Sequence, residues 1–163
     1  MAFRLPTHKM INLRTYKEEC FDVFGAILNV KKELGPGLNE KIYQEGLALE
    51  LTAMGIPYER EKVVHPVYRG VPMTSTFILD FLCKGTVIVE LKSVTDLNKD
   101  HRAQLFNYMH IVKPMVGILV NFAPLFAQIE RYYYDPEKDQ VINTDGKMIR
   151  NRYDDTITIH QII

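Results

Sequence analysis

The chain has 163 residues, with 20 basic and 20 acidic side chains and a net charge of zero. This length is typical of one domain, and a hydrophobic content of 47% supports a buried core, which excludes a disordered chain or a fibre. Proteins that hold nucleic acid mainly through charge are usually basic, so the neutral balance counts against indiscriminate tight binding but leaves room for a local basic patch.

Targeting features and thiols give a simple prediction of location. No apolar run approaches the roughly 18–20 residues that span a bilayer, and the first ten residues lack the apolar stretch of a signal peptide. Cys20 and Cys83 belong to no CxxC pair, so we expect two free thiols rather than a disulfide. The sequence therefore predicts a cytoplasmic protein without a membrane segment.

The first predicted helix runs from about Leu13 to Leu34, where apolar residues recur at helical spacing. Phe21, Phe24 and Leu28 form one stripe, and four further residues widen it: Val23, Ile27, Val30 and Leu34. The run Gly35-Pro36-Gly37 ends this helix, because glycine accepts a positive φ and proline does not continue a helix.

A second helix is predicted from the N-cap Asn39 to about Met54. Its inward stripe comprises Tyr43, Leu47, Leu51 and Met54. Glu40 lies on the same stripe in the first turn. The simplest interpretation of this glutamate is a carboxylate favoured by the helix dipole, although a polar residue on a buried stripe is also a site candidate.

The rest of the chain combines strands with one more helix. Strands are predicted over 58–68, 73–82, 86–94, 115–121 and 128–134, and a helix over 99–112. Residues 135–163, where Ile157 and Ile159 alternate, leave room for an edge strand. This order predicts an α/β (α+β) fold with a mixed central sheet flanked by helices.

The second hairpin carries polar residues at its centre. A three-residue loop at Cys83-Lys84-Gly85 would place glycine in the left-handed position that such loops favour. Asp80 then lies opposite Ile88, and Ile78 lies opposite Glu90. One face of this hairpin is wholly apolar and is predicted to contain Phe77, Leu79, Phe81, Val87, Val89 and Leu91.

The other face gathers Asp80, Glu90 and Lys92 among aliphatic residues. Unpaired buried charges are costly, so these three side chains form either a salt-bridged trio or a metal site. Two carboxylates on adjacent strands suit Mg²⁺, which takes oxygen ligands and keeps several waters. On the third helix, Gln104 is a further polar candidate, and its simplest role is that of a surface amide.

Three segments of the chain resemble a known family. Gly37-Leu38-Asn39-Glu40-Lys41-Ile42-Tyr43 resembles the signature of the GxxExxY proteins. Asp80 followed by Glu90-Leu91-Lys92 resembles the D…E-x-K core of the PD-(D/E)XK nuclease superfamily to which those proteins belong, although Leu79 replaces the proline of the motif. Gln104 and Tyr108 are similar to the helix that follows the third strand. The resemblance covers about 21–131 of one domain spanning 1–163 and leaves 132–163 as a C-terminal extension.

This resemblance implies a restriction-endonuclease-like α-β-β-β-α-β core. It also implies a nuclease that hydrolyses phosphodiester bonds of nucleic acid, with DNA as the expected substrate and Mg²⁺, or else Mn²⁺, as the cofactor. The alternative is a non-catalytic domain on the same fold that binds nucleic acid or a protein. A homodimer through the long hairpin over 58–82 is a further alternative.

The resemblance also assigns roles to residues. Its catalytic set comprises Asp80, Glu90, Lys92, Glu40 and Gln104. Asp80, Glu90 and the Leu91 carbonyl would hold the metal, which Glu40 would ligate directly or through water. Lys92 would orient or deprotonate the attacking water, and Gln104 would steady Lys92 or the substrate.

Overall fold

The computed structural model describes residues 10–151, and this part of the chain contains three helices and nine strands. The helices are α1 (Leu13–Leu34), α2 (Glu40–Ala53) and α3 (Lys99–Val112). The strands are β1 (Tyr58–Val64), β2 (Val67–Tyr68), β3 (Val71–Pro72), β4 (Phe77–Cys83), β5 (Val87–Lys92), β6 (Val116–Asn121), β7 (Gln128–Asp135), β8 (Gln140–Ile142) and β9 (Met148–Asn151).

Seven strands form one mixed sheet in the order β1-β4-β5-β6-β7-β8-β9, and β2 and β3 form a separate ribbon. β5 and β6 are parallel and α3 connects them, whereas every other neighbouring pair is antiparallel. α1 and α2 cover one face of the sheet and α3 covers the other. This arrangement confirms the predicted α/β (α+β) fold, and α2, β1, β4, β5, α3 and β6 supply its α-β-β-β-α-β core.

The helices have the predicted bounds, but part of each predicted buried stripe is wrong. In α1, Phe21 is 71% exposed, Leu28 is also exposed, and Phe24 lies half-buried beneath the Arg131 guanidinium. The stripe that packs on the sheet is Cys20, Val23, Ala26, Ile27 and Val30, whose small members allow close approach. In α2, Met54 is exposed because it is the C-cap rather than part of the buried stripe.

The loop between β4 and β5 has the predicted length but lies one residue later. Cys83 pairs with Val87, so the loop is Lys84-Gly85-Thr86, in which Lys84 and Gly85 both have positive φ. Thr86 is drawn out of the ladder because its hydroxyl donates to Glu19 of α1 and its carbonyl accepts N–H groups from the start of β6. The register therefore shifts by two residues, and Asp80 comes to lie opposite Glu90 rather than Ile88.

The hairpin of β1 and β4 changes faces at Asp80. Leu79 packs in the cluster on the α3 side, whereas Phe81 packs in the cluster beneath α1 and α2, although residues two apart on a regular strand share a face. The β1–β4 register skips Glu61 and Asp80, and Glu61 has a φ of 52°. The predicted single apolar face is therefore wrong for Phe77 and Leu79, which contact α3 instead.

The segment after the predicted core continues the sheet. β8 and β9 extend it beyond β7, and the buried residues Val141 and Ile142 join the clusters on its two faces. The predicted alternation at Ile157 and Ile159 lies outside the described residues. Cys20 and Cys83 are buried free thiols, as predicted. Among the described helices, none is both long enough and apolar enough to cross a membrane.

Candidate active site

The candidate site lies where the ladder between β4 and β5 opens. Regular pairing between these strands ends at Phe81 and Val89, and continuing this register places Asp80 opposite Glu90. The Asp80 N–H donates to Glu90 Oε1 at 3.1 Å, and the Leu91 N–H donates to Asp80 Oδ2 at 2.8 Å. Carboxylates thus replace the backbone acceptors that a continued ladder would supply, and the two acids meet between the strands.

The Leu91 carbonyl belongs to the same opening. In an extended strand, the N–H and C=O of one residue point to the same neighbouring strand. The Leu91 N–H points to Asp80 on β4, whereas the carbonyl of the next residue, Lys92, accepts the Phe122 N–H on the β6 side. Two carboxyl groups and one backbone carbonyl therefore converge on this gap.

Lys92 does not neutralise these acids directly. Its Nζ donates to Gln104 Oε1 at 3.3 Å, and within residues 10–151 no ion pair closer than 4.0 Å joins Lys92 to Asp80 or Glu90. This contact argues against the salt-bridged trio that the sequence left open. Gln104 lies on the exposed side of α3, one turn before Tyr108, whose ring stacks on Phe77 with 4.4 Å between centroids.

Glu40 approaches the site from the first turn of α2. Burial and the nearby Asp80 charge raise the pKa of its carboxyl, while Lys92 and Lys41 lower it, so all three charges lie within electrostatic reach of Glu40. The Glu40 side chain is only partly withdrawn from solvent, and it makes no hydrogen bond within the described residues. The structure therefore brings Asp80 and Glu90 together at the opening, places Lys92 and Glu40 within electrostatic reach of the pair, and joins Gln104 to Lys92.

Tyr43 fixes the loop that leads to Glu40. Its ring stacks on Phe122 with 4.5 Å between centroids, and its hydroxyl donates to the Gly35 carbonyl at 2.6 Å. The same hydroxyl accepts the Leu38 N–H at 3.1 Å. Gly37, with a φ of 79°, allows the turn before Asn39 caps the helix. The spaced glycine, glutamate and tyrosine of this segment thus have complementary tasks: to turn the chain, to present a carboxylate and to hold the loop.

Two further contacts tie this loop to the sheet, and sequence reasoning missed both. The Ser93 hydroxyl donates to the Leu38 carbonyl at 2.5 Å, and Lys31 Nζ donates to the carbonyls of Phe122 and Pro124. The position of Ser93 directly after the candidate site residue Lys92 could have identified it from the sequence as part of the site. Lys31 gave none, because its acceptors are backbone atoms 91 and 93 residues away.

Asn121 was also missed, although a polar residue at the end of an apolar strand is informative. It is fully buried, its Oδ1 accepts the Val94 N–H, and its Nδ2 donates to the Val94 carbonyl and to Gln128. These bonds hold the chain immediately after Lys92 and Ser93. A cavity of about 590 Å³ opens beside this segment, lined by Gly37, Leu38, Asn39, Ser93, Val94, Thr95, Ala123 and Pro124.

The electrostatics of the pair favour a cation. Glu90 is only 4% exposed, and burial, followed by the charge of Asp80, raises the pKa of its carboxyl well above the usual range. Two adjacent carboxyl groups ionise together only at a cost that a proton or a cation offsets.

The oxygen donors at the opening fit a hard divalent ion. Mg²⁺ is commonly held by one or two carboxylates and completes its shell with water. Asp80, Glu90 and the Leu91 carbonyl match this requirement. Glu40 is not assembled with them, since no group of three or more His, Cys, Asp or Glu side chains in residues 10–151 is close enough to hold a metal. Any contact from Glu40 would therefore need a water or a rotamer change.

Comparison with protein families identifies the architecture around this opening. Residues 17–132 match the family model of the PD-(D/E)XK nuclease superfamily. The chain belongs to this superfamily. Comparisons with curated proteins and with solved structures gave no significant match. The match is compatible with the GxxExxY resemblance, and β8 and β9 of this PD-(D/E)XK domain lie beyond the matched residues.

We expect Tyr43→Phe to lower the free energy of unfolding of the PD-(D/E)XK domain by about 1–2 kcal/mol, because the Gly35 carbonyl and the Leu38 N–H lose their shared partner while the buried ring remains. Denaturant unfolding followed by circular dichroism measures this loss. Tyr58→Phe is the matched control, since within residues 10–151 the Tyr58 hydroxyl bonds only the exposed Thr52 side chain. Equal losses in the two variants would contradict the role of Tyr43 as the residue that fixes the loop.

We also expect a pH-dependent effect of Glu90→Gln in the absence of metal. A carboxyl group with a raised folded-state pKa contributes stability that is present below its unfolded pKa and is lost as the pH rises through the folded pKa. Glutamine stays neutral, so the melting temperature of the variant should exceed that of the wild type increasingly between pH 5 and pH 8. A gap of about 2–4 °C corresponds to about 1 kcal/mol in a domain of this size.

Differential scanning calorimetry in EDTA measures this gap. Glu59→Gln serves as the control, because Glu59 is exposed and pairs with Lys62 at the surface. A gap for Glu90→Gln that is independent of pH would show that the carboxyl of Glu90 carries no charge-related strain.

Proposed function

We propose that this domain is a divalent-metal-dependent nuclease that hydrolyses phosphodiester bonds of nucleic acid, with DNA as the substrate. The observation that carries the proposal is the convergence of Asp80, Glu90 and the Leu91 carbonyl at the ladder opening, beside an ammonium group held by Gln104. Membership of the nuclease superfamily supports the reaction class. The choice of DNA rests on the family resemblance.

The proposed metal ligands are Asp80, Glu90 and the Leu91 carbonyl, with Glu40 acting through a water. A bound Mg²⁺ or Mn²⁺ would polarise the scissile phosphate and lower the pKa of the attacking water. The raised pKa of Glu90 means that binding of the cation displaces a proton from the pair, so affinity for metal should rise with pH.

Lys92 acts on the substrate rather than on the acids. Its ammonium, which the Gln104 amide oxygen holds at 3.3 Å, is available to orient the water and to offset the charge that develops on the phosphorane oxygens. Gln104 is a positioning residue because it acts through Lys92. Ser93 and Tyr43 have similar tasks, since they fix the loop that presents Glu40.

A non-catalytic nucleic-acid-binding or protein-binding domain is the second candidate. The neutral net charge and the separation of Glu40 from the acid pair favour it. The nuclease proposal explains more of the structure, because a binding domain has no need for two carboxyl groups at a gap in the sheet. Metal binding without turnover of any nucleic acid would support the second.

The test is cleavage of labelled duplex DNA, single-stranded DNA and RNA in Mg²⁺, Mn²⁺ or EDTA. We expect Asp80→Asn, Glu90→Gln and Lys92→Met each to lower the cleavage rate at least about 100-fold, on the order of the effect of losing one transition-state contact. Glu18→Gln and Lys17→Met change the same residue types on α1, where Glu18 pairs only with Arg14, and should leave the rate unchanged.

Calorimetric titration of Mg²⁺ and then Mn²⁺ separates loss of metal from loss of chemistry. Glu90→Ala should abolish binding, whereas Lys92→Met should retain it. Absence of cleavage on every substrate, together with metal binding by the wild type that Glu90→Ala does not alter, would refute the proposed nuclease site.

A further inference from the structure

The ribbon of β2 and β3 presents an exposed apolar surface beyond the end of the β1–β4 hairpin. Val67, Tyr68 and Val71 are each more than 60% exposed, and Arg69 and Gly70 form the turn at the tip with positive φ values. Tyr68 and Val71 pair across the ribbon and therefore share one of its faces, whereas Val67 pairs with Pro72 on the other. We call the surface formed by Tyr68, Val71 and Arg69 the ribbon face. Apolar side chains gathered on a protruding element indicate an interaction surface.

The ribbon is a firmly built element. Val67 pairs with Pro72 and Tyr68 pairs with Val71. At its base the Met73 N–H donates to the Pro66 carbonyl at 2.8 Å, and His65 Nδ1 hydrogen-bonds the Met73 carbonyl at 2.9 Å. The base of the ribbon is therefore tied by hydrogen bonds, whereas within residues 10–151 its tip belongs to neither buried cluster.

The ribbon itself carries no acid. No Asp or Glu occurs between Glu61 and Asp80, and this interval contains His65 and Arg69 besides Lys62, whose charge pairs with Glu59. A cavity of about 340 Å³ lies between the base of the ribbon and the end of α3, and its lining comprises Val64, His65, Pro66, Val67, His110, Ile111 and Lys113. This lining contains basic and apolar residues and no acid. In a chain of zero net charge, such a segregated surface complements a polyanion.

β4 connects the ribbon to the site. Phe77, at the start of β4, is three residues before Asp80, and its ring stacks on Tyr108 with an interplanar angle of 5°. Burial, followed by the charges of Glu90 and Asp80, raises the pKa of Tyr108, so the Tyr108 hydroxyl lies within electrostatic reach of the acid pair. A ligand along the ribbon would therefore extend towards the acid pair over the Phe77–Tyr108 stack.

We infer that the ribbon face binds the phosphate backbone and base surfaces of the nucleic-acid substrate outside the catalytic opening; this inference rests on the proposed function. A two-stranded ribbon fits a nucleic-acid groove, arginine pairs with phosphate, and an exposed tyrosine stacks on bases. A second copy of the chain is disfavoured as the occupant, because a symmetric contact through the ribbon face would bring two Arg69 side chains close together.

The test measures binding without cleavage, in the Lys92→Met background. Fluorescence anisotropy with labelled duplex DNA, its single strand and the matching RNA gives the Kd at several salt concentrations. Tyr68→Thr with Arg69→Asn removes the ring and the charge, and it keeps residues suited to a strand and to a left-handed turn. We expect Kd to rise at least about tenfold and the salt slope to fall by about one phosphate contact.

Two comparisons complete the design. Arg69→Lys keeps the charge and should restore most of the affinity lost with Arg69→Asn. Arg14→Ala with Phe21→Ala removes an exposed arginine and an exposed aromatic ring from α1 and should leave Kd unchanged. Equal melting temperatures would show that each variant is folded.

The outcomes separate this inference from the proposed function. Loss of binding in the ribbon variant supports the inference even where no cleavage is found. An unchanged Kd in the ribbon variant, or no binding of any probe by the parent protein, overturns it, while cleavage with metal would leave the nuclease proposal standing. A dimer in solution that the ribbon variant converts to a monomer, with unchanged Kd, would also overturn it in favour of self-association.

Discussion

The exchange of backbone acceptors for carboxylates between β4 and β5 is the constraint on which the site depends. Buried N–H groups need partners, and here Glu90 satisfies the N–H of Asp80 while Asp80 satisfies that of Leu91. The strands can therefore separate without leaving unpaired donors. The left-handed Glu61 lets β1 follow the distortion, and the hairpin then crosses to the α3 side of the sheet. Catalytic geometry and fold are consequently linked, because each acid is also a structural acceptor.

The adjacent carboxyl groups of Asp80 and Glu90 concentrate an unfavourable electrostatic energy at the opening between β4 and β5. A salt bridge would offset it, but the Lys92 ammonium donates to Gln104 rather than to either acid. The polar side chains around the opening bond main-chain atoms rather than the two carboxyl groups; they belong to Ser93, Tyr43, Lys31 and Asn121. The acid pair is thus left for a ligand, while the loop and strand ends around it are fixed before any ligand arrives.

Local signals explain which parts of the fold were predictable. α2 and α3 end at capping and helix-breaking residues. The prediction that Asp80 and Glu90 lie on one side of the hairpin was correct although the predicted register was wrong, because a shift of two residues preserves the alternation of faces. The predictions that were wrong concern features that depend on contacts between residues distant in the sequence. Thr86 bonds α1 and β6 instead of continuing the ladder. The change of face at Asp80 is accompanied by a left-handed backbone at Glu61, a conformation that a glutamate residue does not predict.

A net charge of zero is compatible with a polyanionic substrate only when opposite charges are kept apart. The buried acids lie at the ladder opening, where a cation would convert them from a repulsive to an attractive surface for phosphate. The interval from Lys62 to Leu79 contains no acid and carries the exposed ribbon. Between the acid pair and the ribbon, the stacked rings of Phe77 and Tyr108 provide an uncharged aromatic surface. Affinity would then arise locally and depend on metal at one end, and the proposed nucleic-acid binding would not require the overall basic charge that such proteins usually carry.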